Sequence, residues 1–256
     1  MTSLLPVLFA LTALLYAAVG FGGGSTYNAL LVLGDVDYRL IPSIALMCNI
    51  IVVAGGMWRF GQQRALPVRR MALLLATSIP AAWIGGRIPV SELVFVGLLG
   101  SALLLAGLRM LLAKTPEETL ADARALPVPA SLGLGAGIGL LAGLVGIGGG
   151  IFLAPILYMA RWGSPQQIAG GCSLFIFCNS LSGLAGQGAK LIGTGMAGAL
   201  IAYWPLALGV LVGGQIGSWL ASSRLQPDWI KRLTAVLILY VAARLLLRFA
   251  TSFAGY

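Results

Sequence analysis

Two glycine-rich phrases occupy corresponding places in the two halves of the chain: Gly20-Phe21-Gly22-Gly23-Gly24, and Gly146-Ile147-Gly148-Gly149-Gly150. Each follows an apolar run. Glycine costs about 1 kcal/mol per residue relative to alanine in a helix interior, so three in succession predict a break. A helix restarting after Gly24 or Gly150 would present amide N–H groups with no partner in their own helix. The aligned peptide dipoles add a partial charge of about +0.5 at such an end. Consecutive glycines also let backbone amides come close to an oxyanion. The chemistry predicted is the capture of an anion by two sets of bare peptide amides.

Side chains near both phrases extend that set. Ser25, Thr26 and Asn28 supply donors around the first restart, and Ile151 completes the second segment, Gly148–Ile151. Asn49 and Asn179 follow Cys48 and Cys178 in paired apolar runs and can offer amide donors from opposite sides. Arg87 abuts Gly85-Gly86, whose counterpart is Gly213-Gly214 followed by Gln215. Gln187 is a weaker candidate. The candidate binding residues are therefore Gly22, Gly23, Gly24, Ser25, Thr26, Asn28, Asn49, Arg87, Gly148, Gly149, Gly150, Ile151, Asn179 and Gln215. A competing role exists for several of them. Glycines in membrane helices also permit close packing, the better account of Gly55-Gly56, and asparagines also bond across helices as structural glue.

The elements that must position these residues are helices in a bilayer. Hydrophobic residues make up 59% of the 256 residues and charged ones 9%, with a mean hydropathy of +0.97. Soluble domains carry about 25% charged residues. An all-α integral membrane protein is expected, with about eight transmembrane helices in two homologous repeats. The first repeat spans residues 1–114, a polar linker 115–128, and the second repeat 129–256. The runs at 25–33 and 151–160 are too short to cross alone at 1.5 Å per residue. They are either re-entrant half-helices or the later parts of broken helices. Parallel and inverted arrangements of the repeats both fit. The basic residues weakly favour cytoplasmic termini, and residues 3–19 read as a retained first helix.

Composition also excludes function classes. The net charge of +9 comes from residues clustered between apolar runs, where they act as orientation signals and not as a nucleic-acid surface. Histidine is absent, and Cys48, Cys172 and Cys178 lack CxxC spacing, so no metal site or disulfide framework is expected. No HExxH, GxSxG or Walker phrase occurs, and no cofactor or enzymatic activity is expected. Every carboxylate (Asp35, Asp37, Glu92, Glu117, Glu118, Asp122 and Asp228) lies in a connection or at the end of a run. That leaves no intramembrane proton relay. A negative-inside potential would itself drive anions outward by about 2.3 kcal/mol per charge per 100 mV.

The phrase from Gly146 to Pro155 closely resembles the GxGGGxxxxP signature of the sulfite exporter TauE/SafE family of membrane permeases. So does Trp204-Pro205-Leu206-Ala207-Leu208 leading into Gly213-Gly214-Gln215-Ile216-Gly217. The first copy departs from the signature, with Ala29 where the second has Pro155. The resemblance implies a secondary transporter in the inner (cytoplasmic) membrane, moving small sulfur oxyanions such as sulfite or organosulfonates, and working as an exporter. An anion channel or facilitator of broader selectivity is the alternative. The partners implied are a small anionic substrate and the lipid bilayer; whether copies associate is left open.

Overall fold

The computed structural model describes residues 4–18, 21–63, 66–112, 126–220 and 227–254. Most of the polar linker lies outside them. The described residues form ten α-helices: α1 (Leu5–Ala18), α2 (Gly24–Leu33), α3 (Ile41–Gln62), α4 (Val68–Arg87), α5 (Glu92–Leu112), α6 (Val128–Val145), α7 (Gly150–Met159), α8 (Pro165–Gly193), α9 (Trp204–Leu220) and α10 (Pro227–Ala254). A 3-10 stretch, Ala197–Tyr203, leads into α9. Among the described residues, five segments are long and apolar enough to cross a membrane: Ile41–Gln62, Glu92–Arg109, Val128–Val145, Gln166–Gly193 and Ala197–Trp219. Local chemistry sets several helix starts. Pro42 occupies the first turn of α3, while α8 opens on a capping box in which Ser164 and Gln167 exchange side-chain-to-backbone bonds of 3.2 Å.

The ten helices include two short ones, α2 and α7, each following a glycine phrase, beside the longer helices. α2 returns along α1. The Tyr16 and Thr26 hydroxyls bond at 2.9 Å, and the Phe9 and Tyr27 rings stack at 4.7 Å. At the far end, a methyl group on Gly34 would stand 3.1 Å from Leu5. α7 turns back at the second phrase: a methyl group on Gly149 would stand 2.7 Å from Ile138 and 3.5 Å from Ala142 of α6, and Ile138 shares a buried cluster with Leu153 and Leu157 of α7. With 10 residues each, α2 and α7 reach only about 15 Å, half the hydrocarbon thickness.

Two glycine ladders fix the remaining packing. Gly135, Gly139 and Gly143 of α6 lie directly against the carbonyl groups of Leu74, Ser78 and Ala82 of α4. Gly209, Gly213 and Gly217 of α9 lie against those of Pro6, Ala10 and Leu14 of α1. Any side chain there would collide with backbone, the small-residue packing expected of membrane helices. The matched order makes each pair parallel. α4 and α8 are also parallel, with Gly171 near Met71 and Ser182 donating to the Ile79 carbonyl at 2.6 Å. α3 and α8 run antiparallel, Leu46 meeting Gly183 and Ser173 meeting Gly56. α5 and α10 are antiparallel as well, through Gly97 with Phe249 and Gly100 with Leu246. Leu11, Leu105, Leu211 and Leu247 face outward, as lipid contact requires, and Trp58, Trp204 and Trp219 are exposed at helix ends.

Candidate functional site

The tips of the two hairpins meet. A methyl group on Gly24 would stand 2.5 Å from Asn49 Nδ2 and 2.7 Å from the Ile147 carbonyl oxygen. On Gly22 it would be 2.6 Å from Asn49 Oδ1, and on Gly148 it would be 2.9 Å from Asn49 Nδ2 and 3.2 Å from Ser180 Oγ. Asn49, near the middle of α3, is thus inserted between both breaks. It is fully buried, yet neither its Nδ2 nor its Oδ1 has a hydrogen-bond partner among the described residues. The Ser180 hydroxyl is buried and unpartnered in the same way. A buried polar group without a partner typically costs about 1–3 kcal/mol. Two such orphans at one junction call for a physical explanation.

Local backbone conformation explains why the breaks occur where they do. Gly23 and Gly149, the residues preceding α2 and α7, have φ of 84° and 83°, in the left-handed region. A side chain there costs about 1–2 kcal/mol. Neither helix start has a side-chain cap. Thr26 and Tyr27 donate to the Gly23 carbonyl, and Phe152 and Leu153 donate to that of Gly149. The amides of Gly24, Ser25, Gly150 and Ile151 are left without a partner among the described residues. Gly24, at one uncapped N-terminus, and Gly148, two residues before the other, therefore meet at one unsatisfied carboxamide.

Other candidates divide between this junction and positions apart from it. Ser25 is buried in the first turn of α2, and the Thr26 hydroxyl is engaged by Tyr16. Asn28 Nδ2 donates to the Val145 carbonyl at 2.8 Å, tying α2 to the end of α6. Gln187 Nε2 donates to the neighbouring Gly143 carbonyl at 2.9 Å. Gly150 packs on Ile176, and Ile151 is partly buried against the core. Asn179 bonds the Phe175 carbonyl of its own helix at 2.8 Å, although its Oδ1 is unpartnered. Arg87 is exposed, its guanidinium 4.6 Å from the centre of the Trp83 ring, and exposed Gln215 lies against Gly55. The structure brings neither to the junction. Ser180, Ile147 and Ile176 line it and were not among the expected residues. Ser180 directly follows Asn179, and one residue is about 100° around a helix of 3.6 residues per turn.

Apolar crossing helices, with paired hairpins meeting inside them, define a multi-pass membrane transporter architecture. The chain belongs to the sulfite exporter TauE/SafE family, whose family model matches residues 5–245. It is 30% identical over 244 residues to a probable membrane transporter protein, y4hK, of Sinorhizobium fredii, covering 94% of this chain and 97% of that protein. No solved structure matches it. The protein is accordingly a membrane transporter and not an enzyme.

Proposed function

We propose that this transporter is a carrier for small sulfur oxyanions, sulfite or sulfonates, held between the two hairpin tips and exported across the inner membrane. One observation carries the reading: the buried carboxamide of Asn49, with both polar atoms unpartnered, lies where two uncapped helix N-termini meet. Donors and helix dipoles there are arranged for an oxyanion. Gly22, Gly24, Asn49, Gly148 and Gly150 are all buried, and the tips touch, so the junction is closed to both surfaces in this conformation. A closed site between movable tips favours alternating access over a continuous pore.

The halves act, on this reading, as inverted repeats. Taking α1 as rising, the parallel and antiparallel contacts make α9 rise while α4, α6 and α8 descend. The two hairpins then enter from opposite faces. The connections carrying Arg59, Arg69, Arg70, Arg109 and Arg161 fall on one side, with Arg39, Arg87 and Lys190 on the side of the termini. The positive-inside rule then places the termini outside the cytoplasm, opposite to the orientation that sequence weakly favours.

Counterflow of labelled sulfite and methanesulfonate in proteoliposomes tests the carrier. Saturable uptake accelerated by internal anion is expected. Linear, unsaturable anion flux would select the channel instead, and no flux of either anion would end the proposal.

A further inference from the structure

We propose that the junction accepts oxyanions carrying a single negative charge and rejects dianions, so that sulfite crosses in its protonated form. This deepens the anion-carrier reading and rests on it. The two uncapped helix ends at Gly24 and Gly150 contribute a partial charge of about +0.5 each, together about one elementary charge. The other groups lining the junction are neutral: the Asn49 carboxamide, the Ser180 hydroxyl and the Ile147 and Ile176 side chains.

Among the described residues, no fixed cation supplements the helix ends. α1, α2, α6, α7 and α9 contain no Asp, Glu, Lys or Arg. The charged residues of α3 and α8, Arg59 and Lys190, stand about 15 Å along their helices from Asn49 and Ser180 at 1.5 Å per residue. On α4, Arg69 and Arg70 lie in the first turn and Arg87 at the last. Arg70 is held over the Trp162 ring at 4.3 Å and Arg87 over Trp83. On α10, which packs against α2, Arg244 is exposed. The other titratable side chains on α1, α2, α3, α6, α7, α8 and α9 are Tyr16, Tyr27, Cys48, Tyr158, Cys172 and Cys178, types that are predominantly neutral near pH 7. A monoanion is balanced here. A dianion would leave its second charge unpaired in a dry interior, which is strongly penalised.

The missing proton relay follows from the same balance. Sulfite loses its second proton close to neutral pH, so the substrate itself can carry the proton that other carriers move on a carboxylate.

The test uses the wild-type protein in proteoliposomes, with equal pH on both faces and the potential clamped. Fluxes of methanesulfonate, sulfite and sulfate at fixed total concentration are compared between pH 6 and 9. Methanesulfonate is singly charged throughout, and its flux should not change. Sulfite flux should fall about tenfold per unit on the alkaline limb, and sulfate flux should be at least tenfold below methanesulfonate at every pH. Sulfite flux that holds or rises with pH, or sulfate moving as fast as methanesulfonate, overturns the charge limit while leaving the anion carrier intact. Failure of all three anions to move above protein-free vesicles overturns both.

Discussion

The contact between hairpin tips can be tested with one methyl group. In Gly24→Ala the added carbon would meet Asn49 Nδ2 at 2.5 Å, the Ile147 carbonyl oxygen at 2.7 Å and its carbon at 3.0 Å. The amide can rotate; the carbonyl belongs to the opposite tip and moves only with it. Gly24 has no positive φ, so alanine fits its backbone and should gain about 0.5–1 kcal/mol in helix preference. Overpacking of this kind costs about 1–3 kcal/mol. The net change in stability is therefore small, but the tips are held apart and the proposed anion site between them is disrupted. A loss of 1.4 kcal/mol in anion binding is tenfold, so transport should fall at least that far at subsaturating substrate. Gly137→Ala is the control, because a methyl group there meets nothing within 4 Å and the helix preference is the same. Flux of methanesulfonate and thermal unfolding in detergent would be measured for both variants. Wild-type flux in Gly24→Ala, matching that of Gly137→Ala, would refute the reasoning that the tips form the site.

Asn49→Ala removes an unsatisfied buried amide and should leave stability within about 1 kcal/mol of wild type while abolishing saturable transport. Asn179→Ala should lose about 1 kcal/mol with its helix bond and keep transporting; equal flux defects in the two variants would contradict this. Gly23→Val and Gly149→Val each force a branched side chain into a left-handed backbone, at about 1–2 kcal/mol or more. Both should insert in the membrane yet transport poorly, and wild-type flux in both would remove the glycine cradle. A C-terminal reporter active only outside the cytoplasm should be active, and a cytoplasm-only reporter silent; the opposite pattern reverses the assigned orientation.

Much of the candidate site was legible because glycine triplets have few other uses in an apolar run. The segments at 25–33 and 151–160 match α2 and α7 closely. Composition could not say whether these short helices continue onward or double back, since apolar patterning carries no direction. That was decided by contacts such as Phe9 with Tyr27, far apart in sequence. The asparagine pair divides for a related reason. Cys48-Asn49 and Cys178-Asn179 are not equally distant from their glycine phrases. Asn179 is rotated toward its own helix, while Ser180 takes the junction. Arg87 follows two glycines that face α6 and α8, and the helical turn carries its side chain outward onto Trp83. The pairing of Gly85-Gly86 with Gly213-Gly214 thus marks close packing.

The ladders constrain how any carrier built this way can move. α1 is locked to α9 through three glycines, and α6 to α4 through three more. Each hairpin is therefore fastened to a helix from the other half of the chain. Backbone-to-backbone contacts of this closeness tolerate little sliding, because interdigitated surfaces adopt discrete arrangements and do not deform continuously. A rocking of the first half against the second would tear both ladders at once. On the proposed reading, the surface that opens is the one around Asn49 and Ser180, whose side chains are unpartnered among the described residues, and which Asn28 Nδ2 of α2 crosses to bond the last residue of α6. Motion that opens this surface would leave every glycine contact of the ladders intact and expose the helix ends proposed to receive the anion.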